Sequence, residues 1–130
     1  MSGDKDHVSL TFPARADLIG LARLTLSVVC RRAPLALEAV ADLKLALTEA
    51  AGAYVADHAG PGDGDSPGRV SFDFAAETGR LVIEVAGSKQ REIGAEERDL
   101  SSAILEATVD EWSPGPDGVR LVKYLGRPGQ

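Results

Sequence analysis

The chain has 130 residues, of which 44% are hydrophobic, and its 14 Lys and Arg against 20 Asp and Glu give a formal charge of −6. This length and apolar content predict a single globular domain over residues 1–130, large enough to bury a core without disulfides or metals. The excess of acidic residues argues against a surface that binds the phosphates of nucleic acids. We therefore expect no direct nucleic-acid binding and favour a basic protein surface as partner.

Cysteine usage and the N-terminal residues indicate the compartment. The single cysteine, Cys30, excludes an intramolecular disulfide or a cysteine cluster around a metal, and its apolar surroundings predict a small core residue. The N-terminus lacks the apolar segment of a signal peptide, and no run reaches the about 18 apolar residues of a membrane span. We therefore expect a cytoplasmic protein without membrane association, with flexible tails at 1–6 and 126–130.

The first half of the chain predicts one strand and two helices. Alternating apolar and polar residues predict a half-buried strand over residues 7–13. Apolar residues then recur at helical spacing over about 15–32 and again over 35–58, which predicts two helices. Residues 59–68, rich in Gly and Pro, predict a loop.

The second half predicts a hairpin, a helix and the end of a sheet. Alternation over 70–74 and the apolar run 81–85 predict two antiparallel strands. Helical spacing resumes over 95–109, and strand segments follow on both sides of the turn SPGPDG. The order β-α-α-β-β-α-β-β predicts an α+β fold: a two-layer sandwich with all helices on one face of a mixed, mostly antiparallel sheet.

Glu49 stands out in the second helix. One face of that helix is continuously apolar through Leu43, Leu47, Ala50 and Tyr54. No Lys or Arg lies one helical turn from Glu49, so its carboxylate lacks an ion-pair partner on the helix. Gly52 costs a helix roughly 1 kcal/mol relative to Ala, so we expect a ligand, backbone or bulky side chain to approach there. Glu49 is therefore either a solvated helix residue or part of a site.

Two segments carry a resemblance to a known family. DLKLALTEA followed by AYVADHA resembles the N-box helix of anti-sigma regulatory factors, serine kinases of the GHKL ATPase superfamily, and DEW followed by GVRLVKYL resembles their terminal strands. The resemblance covers nearly the whole chain and implies a histidine kinase-like ATPase fold. In that family the helix Glu is the general base, which matches Glu49. An Asn four residues later holds Mg²⁺, and the matching residue here is Ala53, which has no oxygen for a hard cation.

The two other nucleotide boxes of the family also differ here. The Asp that binds the adenine amino group corresponds to Gly87, and Lys89 stands near the expected turn glycines. Where the family has a Gly-x-Gly that cradles phosphates, this chain has Asp99, Leu100 and Ser101. Asp99 would repel a triphosphate. We therefore expect no cofactor, with ATP and Mg²⁺ bound only if the degenerate site still functions.

The resemblance then implies a regulator that acts by protein binding, with a sigma factor, an anti-anti-sigma antagonist or both as partners. Arg23 matches a family arginine at the partner surface, although a solvated helix residue is the other interpretation. The first strand offers an edge for a homodimer. Two other functions remain open: an ATP-dependent serine kinase acting on the antagonist with Glu49 as base, or an interaction scaffold for another signalling domain. His7 and His58 have no ligand partners at metal-binding spacing, so no metal site is predicted.

Overall fold

A computed structural model describes residues 6–33, 35–55, 68–88, 92–115 and 117–125. Within these ranges the order of helices and strands is the predicted one. The elements are β1 (Asp6–Pro13), α1 (Ile19–Cys30), α2 (Leu37–Ala51), β2 (Arg69–Glu77), β3 (Arg80–Gly87), α3 (Ala95–Thr108), β4 (Glu111–Pro114) and β5 (Gly118–Tyr124), with a short 3₁₀ turn, Ala16–Leu18, before α1.

The five strands form one sheet in the order β1-β2-β3-β5-β4. All four pairings between the described strands are antiparallel, so the predicted mixture of directions is absent from this part of the chain. The tight connection from β2 to β3 depends on Gly79, whose φ of 82° is a conformation that favours glycine. The α+β class is confirmed.

The core lies between the sheet and the helices. Alternate positions of each strand point toward the helices because successive side chains of a strand point to opposite faces. The strands bury Phe12, Val70, Phe72, Phe74, Leu81, Ile83, Val85 and Leu121, and the helices add Ala22, Leu26, Leu43, Ala46 and Leu47. Cys30 is buried with them, as predicted, and burial raises the pKa of its thiol while Lys44 opposes the shift.

Both of the first two helices are shorter than predicted. The α-helical part of the first begins at Ile19, after the 3₁₀ turn, and the second ends at Ala51. Gly52 caps the end of α2, and its N–H donates to the carbonyl oxygens of Thr48 and Glu49, both at 3.1 Å. Glycine has the largest backbone entropy to lose in a helix, so it favours an end at this point. Residues 56–67, which include most of the predicted loop, lie outside the described residues.

No helix in the described part of the chain combines the length and the apolar character needed to span a bilayer. Of the predicted tails, 1–6 and 126–130, residues 1–5 and 126–130 lie outside the described ranges, whereas Asp6 begins β1.

Candidate functional site

Glu49 lines a cavity between α2 and α3. The core side of α2 is fixed by Leu43 and Leu47, both fully buried, so Glu49 lies on the flank of the helix and remains partly exposed. The cavity has a volume of about 210 Å³. Its lining is Thr48, Glu49, Gly52, Ala53, Ile93, Glu97 and Ser101. Among the described residues no Lys or Arg forms an ion pair with Glu49. A carboxylate placed in this way can accept a proton from a group that enters the cavity.

Ala53 faces the same cavity from the turn that follows α2. Its side chain is a methyl group, so it offers no ligand to the hard cations that bind oxygen. In the described ranges, no group of three His, Cys, Asp or Glu side chains is arranged to hold a metal ion. The described lining contains two carboxylates, those of Glu49 and Glu97.

Among the described residues, no backbone or side chain of another element comes close to Gly52, and the approach of a ligand there stays a prediction. A Cβ added there would meet only the carbonyl oxygens of α2 itself, at 3.3 Å for Glu49 and 3.7 Å for Thr48. The close approach occurs at Gly87 instead. A Cβ at that position would overlap Cγ and Cδ1 of Tyr54 and lie 2.6 Å from its Cβ. Residue 87 therefore has no room for a side chain.

Tyr54 reaches Gly87 because the chain turns after α2. Its backbone N–H donates to the carbonyl oxygen of Ala51 at 2.9 Å, and its side chain enters the core, where the residue is only 6% exposed. Burial raises the pKa of the Tyr54 hydroxyl, and the nearby Asp117 carboxylate raises it further. The ring therefore stays neutral over the physiological pH range.

Asp99 and Ser101 lie inside α3 rather than in a loop. The helix begins at Ala95, and a helix leaves only its first four N–H groups without an intrahelical acceptor. The backbone N–H groups of residues 99–101 lie beyond that first turn, so helix bonds occupy them and they cannot cradle a phosphate. Ser101 lines the cavity with Glu49, whereas Asp99 is exposed and is not part of the lining described above.

The structure thus brings three of the predicted positions together and leaves the others apart. Glu49, Ala53 and Ser101 share one cavity. Gly87 lies at the end of β3 under the Tyr54 ring, and Lys89 is outside the described residues. No pattern along the chain indicates the contact between Tyr54 and Gly87, because the two residues lie in segments that are distant in sequence.

Arg23 is exposed on α1 at the boundary with α2. Its Nη1 donates to Oγ1 of Thr48 at 3.5 Å, and Thr48 in turn donates to the carbonyl oxygen of Lys44 at 2.8 Å. The guanidinium therefore lies near the turn of α2 that carries Glu49, and Arg23 is an exposed residue.

An exposed apolar stripe runs along α1, opposite the core. We call Leu21, Leu24 and Val28 the α1 stripe, since spacings of 3 and 4 place them on one side of the helix. Leu24 is 64% exposed, and the two others are about half exposed. Leu21 and Val28 belong to the helical repeat that predicts this helix, yet the buried side is formed by Ile19, Ala22, Leu26 and Val29. The helical repeat therefore predicts the helix but does not decide which of its sides is buried.

Comparison with known proteins adds relatives that share most of this chain's length. No family model matches the chain. The serine-protein kinase RsbW of Bacillus licheniformis is 32% identical over 121 residues, which cover 92% of this chain and 74% of that protein. The protein of the same name from Bacillus subtilis is 32% identical over 126 residues, covering 96% and 77%. A Listeria monocytogenes RsbW is 33% identical over 81 residues.

One solved structure shares the fold. The crystal structure of the RsbU and RsbW domains of Rv1364c from Mycobacterium tuberculosis matches with a TM-score of 0.69 at 22% sequence identity. The match covers 95% of this chain and about a third, 33%, of that longer chain. At this identity the likeness concerns the arrangement of helices and strands.

Proposed function

The chain belongs to the family of the serine-protein kinase RsbW, and from this premise we propose that it is an anti-sigma-factor-like regulator that acts by binding proteins, with a nucleotide site that no longer functions. Its partner would be a sigma factor, an anti-anti-sigma antagonist, or both. The protein would control transcription by holding or releasing the sigma factor.

The α1 stripe is the observation that carries the protein-binding part of the proposal. Large apolar side chains grouped on one exposed helix side are typical of protein interfaces, whereas single exposed ones are ordinary. Arg23 lies on the same helix, and Arg31 is exposed just beyond its end. The charge here is basic although the whole chain is acidic. We therefore expect the partner surface that faces α1 to combine apolar side chains with carboxylates.

Three observations support the loss of the nucleotide site. Ala53 replaces the residue that the family resemblance assigns to Mg²⁺, Gly87 is covered by the Tyr54 ring, and residues 99–101 are helical. The cavity beside Glu49, about 210 Å³, is also below the roughly 300–1,000 Å³ that pockets for drug-sized ligands occupy. The Glu49 carboxylate in its lining opposes a triphosphate. The residues present do not fit ATP with Mg²⁺.

A binding assay with purified sigma factors tests the proposal. Each sigma factor of the host is immobilised in turn, and the chain is passed over it with and without ATP and Mg²⁺. We expect at least one sigma factor to bind with a Kd of about 1 μM or tighter, and ATP to change that Kd less than twofold. If none of the sigma factors retains the chain, the anti-sigma assignment is wrong. If ATP changes the Kd strongly, the nucleotide site still functions.

Thermal unfolding with nucleotide tests the second part of the proposal. A ligand at 100 times its Kd stabilises a protein by about 2.7 kcal/mol, which shifts the Tm by several degrees. We expect millimolar ATP with Mg²⁺ to shift the Tm by less than about 1 °C, and Ala53→Asn to leave this unchanged because the faults at residues 87 and 99 remain. A shift of several degrees for the unaltered chain would contradict the proposal. A shift for Ala53→Asn alone would show that the site lacks only a metal ligand.

One observation favours the alternative function, an ATP-dependent serine kinase. Glu49, at the general-base position of the resemblance, lines an open cavity rather than the closed core. A kinase must bind its phosphate donor, so the nucleotide measurement also separates the two functions.

A further inference from the structure

The contact between Tyr54 and Gly87 joins the end of α2 to the end of β3. A Cβ at residue 87 would overlap the base of the tyrosine ring. Real Cβ atoms essentially never lie closer than 3.0 Å to another heavy atom. Either the ring or the strand would have to move to admit any residue other than glycine.

Neither partner is free to move. The N–H of Gly87 donates to the carbonyl oxygen of Asp117 at 3.0 Å, and in the sheet Gly87 is paired with Val70 of β2. The strand end is therefore fixed by β2 on one side and by the segment before β5 on the other. Tyr54 is 6% exposed and belongs to the core cluster, so its ring cannot swing into solvent without opening the core.

The side of β3 on which Gly87 lies relates the contact to function. Gly87 faces the helices because it continues the alternation of Leu81, Ile83 and Val85, all of which are buried on that side. A side chain at residue 87 would point into the space between β3 and the end of α2. By the family resemblance, this is the residue whose carboxylate would meet the base of a nucleotide. The Tyr54 ring fills that space.

We infer that Tyr54 is a built-in occupant of the base pocket, and that residues 54 and 87 form an exclusive pair in which a side chain at 87 requires removal of the ring at 54. This inference rests on the proposed function and extends it. The nucleotide site lacks the groups that would bind ATP and Mg²⁺, and in addition the Tyr54 ring occupies the space of the base. Tyr54 is thus the residue that excludes a purine.

A double-mutant cycle tests the pair. Gly87→Asp, Tyr54→Ala and the double variant are compared with the unaltered chain by thermal unfolding. We expect Gly87→Asp to lower the Tm by about 10 °C or more in the presence of the ring, since overpacking forces the core to shift. In the Tyr54→Ala background the same change should cost no more than about 3 °C. An equal loss in both backgrounds would show that the two positions are independent and would overturn the inference.

Milder variants keep the cycle measurable if Gly87→Asp does not fold. Gly87→Ala adds only the overlapping Cβ, and Tyr54→Leu removes the ring while filling part of its space. Tyr54→Phe keeps the ring, so it should not relieve the cost of Gly87→Ala. Gly94→Ala is the matched control, because a Cβ at Gly94 would meet no atom within 4 Å. The change in Tm caused by Gly94→Ala should be the same whichever residue stands at position 54.

Two small molecules test whether the vacated space is a pocket. p-Cresol reproduces the tyrosine ring, and at millimolar concentration it should raise the Tm of Tyr54→Ala but not that of the unaltered chain. Adenosine carries no phosphates, so the faults at residues 53 and 99 do not affect it. It should raise the Tm of the double variant Tyr54→Ala/Gly87→Asp by at least 2 °C and leave the unaltered chain unchanged. If p-cresol does not raise the Tm of Tyr54→Ala, the ring fills no closed space. If adenosine does not raise the Tm of the double variant, Tyr54 is not the residue that excludes a purine.

The results separate this inference from the proposed function. If the unaltered chain binds ATP while the cycle still shows coupling, the proposed loss of nucleotide binding fails and the exclusive pair stands. If the cycle shows no coupling and ATP still does not bind, the pair fails and the proposed function stands.

Discussion

Leu24→Asp should weaken binding of the sigma factor by about 100-fold or more while the protein remains folded. Leu24 is the most exposed member of the α1 stripe and lies between Leu21 and Val28 along the helix, so a partner that covers the stripe would bury it. A carboxylate at that point would lose its hydration without a matched cation from a partner surface that is itself apolar and acidic. A 100-fold loss corresponds to about 2.7 kcal/mol, which is within the range of interface hot spots. The Kd is measured by calorimetry or surface plasmon resonance.

Leu100→Asp is the matched control for this substitution. Leu100 is 62% exposed against 64% for Leu24, and it lies on α3 rather than on α1. The two variants make the same chemical change in a helix at the same exposure, so their effects on folding should be similar and small. If both lose binding equally, the effect is not specific to the α1 stripe. If neither does, the partner does not use the stripe.

Gly118→Ala should destabilise the fold by about 3 kcal/mol or more, because the added methyl group would collide with backbone. A Cβ at Gly118 would overlap the carbonyl oxygen of Val85 and lie 2.9 Å from Cα of Ala86. Both atoms belong to β3, which is paired with β5 at this point, so they cannot move away without breaking the ladder. The free energy of unfolding is measured by urea denaturation, with the midpoint and the slope reported separately.

Gly20→Ala gives the opposite expectation and is the control for the glycine change itself. A Cβ at Gly20 would meet no atom within 4 Å, and the residue lies in the first turn of α1. Alanine loses less backbone entropy in a helix, so this variant should be more stable by up to about 1 kcal/mol. A Gly118→Ala protein as stable as the unaltered chain would show that β3 and β5 are less closely spaced at this point than the structure indicates.

Prediction from sequence succeeded where one periodicity dominates. Val70, Phe72 and Phe74 alternate with polar residues, and all three are buried as the strand period requires. It was less successful on α1, which is apolar on two opposite sides. Leu21 and Val28 fit a helical repeat as well as Ala22 and Leu26 do, and only packing against the sheet decides which side is the core.

At the candidate site, too, the sequence supplied the residue types but not their arrangement in space. The residue types at positions 49, 53, 87 and 99 could be read from the family resemblance, which concerns the order of residues along the chain. Their spatial relations could not. Ser101 joins Glu49 and Ala53 in one cavity while Asp99, two residues earlier, does not, because the turn of α3 sends neighbouring side chains in different directions.

The amino-acid sequence by itself determined the order of strands and helices, the family, and the absence of the family's metal ligand at Ala53. These follow from local periodicity and from residue chemistry at single positions. Only the tertiary structure decided that Tyr54 covers Gly87 and that the α1 stripe faces away from the sheet. Both depend on which surfaces meet when distant segments pack, and the close packing of the core allows one arrangement of bulky side chains while excluding others.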